Sequence, residues 1–486
     1  MKRNYKQGID RQQGMLLPIR VEEYISEDNT VRAVDVYVDS LDLEQLGFIN
    51  AAGGLTAGQP AYPPGGLLKL YLYGFMQGIR SSRKLAKECQ RNLEVIWLMT
   101  GLQPSYKTIA DFRKNNLTGI KAVNLDFVQL CQELKLFGNE LVALDGSYFR
   151  GNVGKKSIYS EERLQKTLSR LEKHIAAYLT EMEQLDTVEA DQADTPQRFT
   201  EKLEQLRKRQ QAHQTRLTQL QASGQKQWAE VDPDARLLAK NGQSVAGYNV
   251  QTAVDAKHKL LVTCEVTQDG NDTQQLAPMA KQAQQTLGVS TLEAVADAGY
   301  FNFAHIKACQ DAGITPYLPE PNKKIKNANR GKYTRDDFQY HAETDTYRCP
   351  ANQTLIRYIQ NVQRGKLYWA YRSLPPVCAD CSLKSSCLPV TKKFRSLYRW
   401  EHEAEIEVYR QRMTEQGPAK MALRACLAEH PFGTLKRWCG WNHFLLRGLQ
   451  KVRAELQLWM LGYNFKRVLN ILGLNTFREY CLQRAA

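Results

Sequence analysis

The stretch Leu141-Val142-Ala143-Leu144-Asp145-Gly146-Ser147-Tyr148-Phe149-Arg150 decides how this chain is read. Four apolar residues run straight into one aspartate, and a glycine follows. Leu292-Glu293-Ala294-Val295-Ala296-Asp297-Ala298-Gly299-Tyr300-Phe301 repeats the arrangement. Both read as buried strands that end by presenting a carboxylate at a glycine-loosened turn. Either alone is ordinary Asp-Gly or Asp-x-Gly turn chemistry. A carboxylate so placed costs stability unless its charge has a use. Two of them in one basic chain point to a shared divalent metal beside a phosphate backbone. Mg2+ takes hard oxygen ligands from one or two carboxylates and completes its shell with phosphate and water. Two such ions about 4 Å apart suit an in-line phosphoryl transfer.

Working outward, Ser244–Val254 and Leu260–Val266 read as a β-hairpin joined at Asp255–His258. A helix is expected over Asp272–Leu287 with Thr273 as its cap, then the strand to Asp297, a helix at Phe303–Asp311 and a strand at Ile314–Leu318. This order predicts an α/β fold, a mixed sheet under helical cover, matching a ribonuclease-H-like core over 136–157 and 228–345. Residues 158–227 interrupt it. Leu164, Leu168, Leu171, Ile175, Leu179, Met182 and Leu185 recur at steps of three and four. After a polar break at Thr187–Pro196 the spacing resumes with Phe199, Leu203, Leu206, Leu217 and Leu220. The pattern predicts an inserted coiled-coil helical hairpin, weakened where Gln210 and His213 take seam positions. It serves dimerisation, DNA clamping or passive spacing.

Residues 1–135 read as a helical N-terminal domain, with helix starts after Pro63-Pro64-Gly65-Gly66, at Ser81-Ser82 and after Pro104-Ser105. Arg80, Arg83, Lys84, Arg113 and Lys114 would line either a DNA-binding head or a plain solvated face. Residues 393–486 read as the helical end of the core. Their Gly440–Leu472 helix packs apolar residues onto the sheet, with Lys451 among the basic groups that could also meet DNA. Tyr248 and Tyr300 beside the strands could stack on a flipped base or simply fill the core.

The formal charge of +15 over 486 residues implies a polyanionic partner, nucleic acid foremost, although a ribosomal or membrane surface would suit the same number. No run of about 18 apolar residues could span a membrane. The basic opening Met1-Lys2-Arg3 lacks the apolar stretch of a secretory signal. Eleven cysteines, seven of them scattered singly, suit a reducing compartment. The remaining four, Cys349, Cys378, Cys381 and Cys387, lie in 346–392 and supply enough thiolates for a structural Zn2+. Four reduced thiols in a loop-rich segment is the other reading.

A catalytic metal site needs a third carboxylate from a later helix. Glu401, Glu403, Glu405 and Glu407 form a dense run typical of a solvated face, and Glu455 sits beside Arg453 as for a surface ion pair. Glu429 stands apart. Because Pro is accepted in the first turn of a helix, Glu429-His430-Pro431 is expected to start one. Lys436, seven residues on, would share its face, with Arg437 alongside.

Ala143-Leu144-Asp145-Gly146-Ser147, Gly247-Tyr248-Asn249-Val250-Gln251, Ala296-Asp297-Ala298-Gly299-Tyr300 and Glu429-His430-Pro431-Phe432-Gly433-Thr434-Leu435-Lys436 together resemble a DDE-type transposase of bacterial insertion sequences, nearest the insertion-sequence-1182 group. The likeness extends over nearly the whole chain, including Thr108-Ile109 and Phe112-Arg113. It implies that Asp145, Asp297 and Glu429 bind Mg2+ on a ribonuclease-H-like fold and that Lys436 belongs to the catalytic set. Ala425 stands where the wider family carries an arginine, and Arg424 is one position early. The implied activity is Mg2+-dependent cleavage at element ends and strand transfer into target DNA. A DNA endonuclease, or a domesticated DNA-binding relative without strand transfer, is the alternative. The implied partner is double-stranded DNA, both terminal inverted repeats and target, held by a homodimer or larger assembly in the bacterial cytoplasm at the nucleoid. Phosphate contacts are expected from Arg113, Lys114, Arg150, Arg424, Arg437 and Lys451. A tyrosine recombinase does not fit, since His443-Phe444-Leu445-Leu446-Arg447 is one residue too long for its His-x-x-Arg step.

Overall fold

The computed structural model describes residues 20–51, 60–186, 195–240, 242–321, 331–363, 365–388 and 392–485. Helices come first: α1 (Val31–Asp39), α2 (Pro64–Met76), α3 (Ser82–Arg91), α4 (Leu93–Leu98), α5 (Tyr106–Asn115) and α6 (Leu117–Glu133). Pro64 takes the first turn of α2, where a missing N–H costs nothing. The hydroxyls of Ser81 and Ser105 accept from the N–H groups of Lys84 and Thr108 and so cap α3 and α5. Of the five basic groups expected outside, Arg83, Lys84 and Lys114 are exposed. Arg113 is not: it is 4% exposed and lies over the Tyr71 ring, so it cannot serve as a surface phosphate contact. Arg80 also turns inward, donating to the His443 carbonyl at 2.6 Å.

After β1 (Leu141–Arg150) the chain makes an excursion through β2 (Ile158–Ser160), α7 (Glu161–Asp186), α8 (Thr195–Ser223) and β3 (Gln227–Ala229). β2 and β3 pair antiparallel. Leu164 and Leu168 of α7 pack on Leu217 and Leu220 of α8, above Tyr159 and Trp228. Burial fades outward, and Leu179 is 38% exposed. Of the expected break Thr187–Pro196, residues 187–194 lie outside the described residues, as do the side chains of Leu185 and Phe199.

The main sheet is completed by β4 (Arg236–Lys240), β5 (Gln243–Asp255), β6 (Leu261–Thr267), β7 (Leu292–Val295) and β8 (Ile314–Tyr317), with helices α9 (Leu276–Leu287) and α10 (Phe303–Gln310) between them. β5 carries β4 and β6 on one side and β1 on the other; β7 and then β8 extend the sheet beyond β1. β6, β5 and β1 are antiparallel, whereas β7 and β8 run parallel to β1. That is the order the ribonuclease-H-like reading expects. The hairpin of β5 and β6 falls where alternation placed it. The helix expected from Asp272 instead begins at Leu276, and Thr273 is not its cap.

An antiparallel second sheet follows: β9 (Gln339–His341), β10 (Thr346–Arg348), β11 (Thr354–Gln363), β12 (Lys366–Arg372) and β13 (Ser396–Trp400). Two short helices, α11 (Pro375–Ala379) and α12 (Lys384–Cys387), lie between its last two strands. The chain ends in α13 (Glu403–Glu415), α14 (Gly417–Gly433), a π-helical turn at Thr434–Trp438, α15 (Leu449–Leu472) and α16 (Leu474–Ala485). The Gly440–Leu472 helix of the sequence reading starts only at Leu449. Before it, the chain crosses the end of β1, where Phe444 N–H donates to the Arg150 carbonyl at 2.8 Å.

Alternation along β1 sorts its side chains between two layers. Val142 and Leu144 join the main core. Leu141 and Ala143, with Val295 and Tyr317, pack against Leu427 and Ala428 of α14. α15 backs the assembly, its Trp459 ring stacked on Phe444 at 4.8 Å. Glu455 of α15 is not the surface partner of Arg453 but is fully buried. Its oxygens accept from the N–H groups of Leu445 and Leu446 at 3.0–3.1 Å, while Arg453 pairs with Glu265. Burial pushes the Glu455 carboxyl up, opposed by Arg113, the two N–H groups and Arg80.

Candidate active site

Asp145 does not end its strand. β1 continues to Arg150, with Asp145 opposite Thr252 and Gly146 opposite Gln251 on β5. Gly146 lacks the positive φ of a turn glycine. A Cβ there would fall 2.5 Å from Gln251 Nε2 and 2.6 Å from Asp272 Oδ1, so close approach of side chains requires the glycine. Asp297 meets its expectation better. It follows β7 in extended conformation, and its Oδ1 accepts from Gly299 N–H at 2.8 Å.

Register and alternation relate the two aspartates. Ala143 lies beside Val295 in the parallel pair, and both pack on α14. Asp145 and Asp297 each stand two residues beyond that last pair, on strands about 4.8 Å apart where they pair. Tyr300 senses both. Burial pushes its phenol well up, and the charges of Asp272, Asp145 and Asp297 push the same way, with Arg424 opposing.

The third carboxylate arrives on α14. Glu429 is not at a helix start: α14 begins at Gly417, and Pro431 lies inside its last turns. The helix tolerates the proline because it is about to change pitch into the π-helical turn. Contacts on either side fix where Glu429 lies along β1. Ala428 packs near Ala143, the Phe432 ring is 5.9 Å from Phe149, and Lys436 Nζ donates to Ser147 Oγ at 2.6 Å and to the Tyr148 carbonyl at 2.9 Å. Glu429 is exposed on the helix so held against β1. Lys436 is engaged with β1. Beside Glu429, His430 Nδ1 meets the Tyr463 hydroxyl at 2.9 Å, and that hydroxyl donates to the Lys259 carbonyl at 2.8 Å, tying the helix to α15.

Two adjacent aspartates are a donor set that Mg2+ accepts together with phosphate oxygens. Among the described residues no three His, Cys, Asp or Glu side chains are gathered as a metal cluster, so Asp145, Asp297 and Glu429 do not meet as a set of three. The basic candidates divide. Arg424 is half-buried and within electrostatic reach of Tyr300; Arg150, Arg437 and Lys114 are exposed; Lys451 is half-buried on α15. Arg150 also donates to Asn442 Oδ1 at 3.0 Å. Tyr248 and Tyr300 are core fillers, both fully buried.

The sequence reading missed a buried polar network behind the aspartates. Asp272 Oδ1 accepts from Asn249 Nδ2 at 2.8 Å and Gln251 Nε2 at 2.7 Å, and the Tyr300 hydroxyl donates to Gln251 Oε1. Asn249 and Gln251 are fully buried on one face of β5. That i, i+2 pair of amides was the available signal.

The four cysteines of the second-sheet region line one cavity of about 30 Å³. Ser373 Oγ lies 2.8 Å from Cys378 Sγ. Burial pushes the Cys387 thiol up, opposed by Arg395 and reinforced by Cys378, Cys349 and Cys381. These sulfurs are likewise not gathered as a metal cluster.

Among the described residues no helix is long and apolar enough to cross a membrane. No curated protein matches the chain. One solved structure, a piggyBac transposase synaptic complex with hairpin DNA, is 10% identical and superposes with a TM-score of 0.32, covering 94% of this chain and 79% of that one. A family model described as a transposase domain (DUF772) matches residues 19–115, the helical N-terminal region. A second, described as a transposase DDE domain, matches residues 210–465, a span that includes Asp297 and Glu429 and begins after Asp145. As that match takes in more than half of its length, the chain belongs to the DDE transposase family, enzymes of DNA cleavage and strand transfer.

Proposed function

We propose that Asp145, Asp297 and Glu429 are the carboxylates of this transposase, acting on the ends of an insertion sequence of the 1182 group and then on target DNA. The observation that supports the reading is the parallel pairing of β1 with β7 up to Ala143 and Val295, each two residues before an aspartate, with both residues packed on the helix bearing Glu429. Asp145 and Asp297 would hold Mg2+, which when bound stabilises charge on the attacking and leaving phosphate oxygens. Glu429, on the helix that packs against β1 and β7, would complete the set when DNA is seated. Lys436 acts by tying this helix to β1. Arg424, within electrostatic reach of Tyr300, would meet a phosphate entering beside the aspartates. Arg150, Arg437, Lys114 and Lys451 would hold the duplex through its backbone, the sequence-independent part of recognition. Arg113 is left out of this set by its burial. Two ends must be brought together, which calls for a dimer or larger assembly on double-stranded DNA.

The test is end cleavage with Mg2+ by Asp145→Asn, Asp297→Asn and Glu429→Gln proteins that still bind end DNA. Each should lose cleavage while binding the ends as the wild type does. Any one that cuts at a near-normal rate removes its carboxylate from the site.

The reading extends to a structural Zn2+ held by Cys349, Cys378, Cys381 and Cys387. Its support is the common cavity those four thiols line. Their sulfurs would have to draw in to the roughly 2.3 Å of a Zn–S bond.

A further inference from the structure

We infer that Asp272 is a positioning residue for the aspartate pair: acting through Gln251 and Tyr300, it fixes the turn that carries Asp297 beside Asp145. The inference rests on the proposed reading of Asp145 and Asp297 as metal carboxylates. Asp272 is 4% exposed, four residues ahead of α9, on the side of β1 opposite α14. Burying a carboxylate costs free energy that a structural brace made of neutral groups would avoid.

The orientation of the Gln251 amide decides which neighbour each of its ends can bond. An ionised carboxylate can only accept hydrogen bonds, so Asp272 selects the NH2 end of Gln251 and of Asn249. Gln251 Nε2 is held further by Asn249 Oδ1 at 3.1 Å. Its carbonyl end is thereby turned toward Tyr300, whose hydroxyl donates to it. Tyr300 in turn closes the turn after β7, its N–H donating to the Asp297 carbonyl at 3.2 Å. Two hydrogen-bonded residues, Gln251 and Tyr300, thus link Asp272 to the backbone of Asp297. The first of them also lies against Gly146, the residue after Asp145. A residue behind two ligands that orients them typically matters to metal affinity by 10–100-fold.

The experiment is Mn2+ binding to the full chain, followed by the electron paramagnetic resonance signal of free Mn2+, with melting temperature recorded for every variant. Asp272→Asn keeps the shape but loses the acceptor-only character, and Tyr300→Phe removes one hydroxyl at the far end of the chain of bonds. Each should weaken Mn2+ binding by about 10-fold or more. Because both cut the same linkage, the double variant should bind no more weakly than the worse single one. Mn2+ affinity unchanged in Asp272→Asn, with a lowered melting temperature, would show a brace and overturn the inference, as would independent effects in the double variant. Should Asp272→Asn fail to fold, Tyr300→Phe decides alone, and wild-type affinity there overturns it. Asp145→Asn and Asp297→Asn are measured alongside. If they too bind Mn2+ normally, the carboxylate reading falls and takes this one with it. If they bind weakly while Asp272→Asn and Tyr300→Phe bind normally, the role of Asp272 alone falls.

Discussion

Gly146→Ala separates two explanations of the Asp-Gly pair, because they predict opposite signs. If Gly146 were an ordinary strand position with room for a methyl, alanine would reduce the freedom of the unfolded chain and stabilise by about 0.4–1 kcal/mol. Its backbone has no positive φ to forbid that. The structure instead puts the new Cβ 2.5 Å from Gln251 Nε2 and 2.6 Å from Asp272 Oδ1, about 1 Å inside ordinary non-bonded separation. Neither neighbour is free to retreat: Gln251 is 0% and Asp272 4% exposed, and they are bonded to each other at 2.7 Å. Holding them in place costs the roughly 1–3 kcal/mol of overpacking. Moving Asp272 away gives up hydrogen bonds to a charged group, each worth about 1.5–3 kcal/mol. The loss is about 1–3 kcal/mol by the first route and about 3 kcal/mol or more by the second. Global unfolding of so long a chain is a poor measure, so the assay is amide hydrogen exchange across β1 and β5. A 2 kcal/mol loss speeds exchange there by about 30-fold. Exchange equal to or slower than wild type would refute the packing argument and restore the simple strand reading.

Burial lowers the His430 pKa from 6.5, helped by Arg467 and Lys259. The folded chain thus holds this imidazole neutral more firmly than the unfolded chain does. Its contribution to stability is present above pH 6.5 and is lost as pH falls below that value toward the folded pKa. The fall in melting temperature between pH 7 and pH 5 should therefore be smaller in His430→Gln than in wild type, and equal falls would contradict the assignment. For the cysteine cavity, zinc analysis of the purified chain should find stoichiometric metal, and a chelator should speed amide exchange over 349–388. A metal-free preparation with unchanged exchange would leave four reduced thiols as the correct reading.

Periodicity made the sheet legible. The first half of β1 and β7 follow from apolar runs, the β5–β6 hairpin from its strand pattern, and the seam residues Leu164, Leu168, Leu217 and Leu220 from three-and-four spacing. What failed was inference from single residues whose meaning depends on a distant partner. Gly146 read as a turn because Asp-Gly is common turn chemistry, and nothing local announces that Asp272, 126 positions later, will press against it. Arg113 read as surface charge because buried arginine is rare. It is buried because Glu455, 342 positions away, offers a compensating charge in the core. Asp272 read as the polar start of a helix, whereas its side chain turns in to meet two strand amides. In each case the sequence shows one half of an interaction.

Pro431 shows why the third carboxylate is the hardest of the three to place. A proline removes an N–H and so deprives the Leu427 carbonyl of its helical donor, which ordinarily ends or kinks a helix. Here the chain continues for five residues with the wider hydrogen-bonding step of a π-helix, from Thr434 to Trp438. Widening the turn changes where Lys436 points. In an unbroken α-helix it would lie directly over Glu429, as the seven-residue spacing suggested. With the pitch altered, it reaches down to Ser147 Oγ and the Tyr148 carbonyl, and its ammonium lies 4.3 Å from the centre of the Phe149 ring. The strand so gripped is the one that carries Asp145. A helix that must present an exposed glutamate above a strand-borne aspartate needs some link to set their register, and the lysine provides it from the helix side. The Glu-x6-Lys spacing is then explained by attachment: one residue faces the site while the other holds the helix to the strand beneath it.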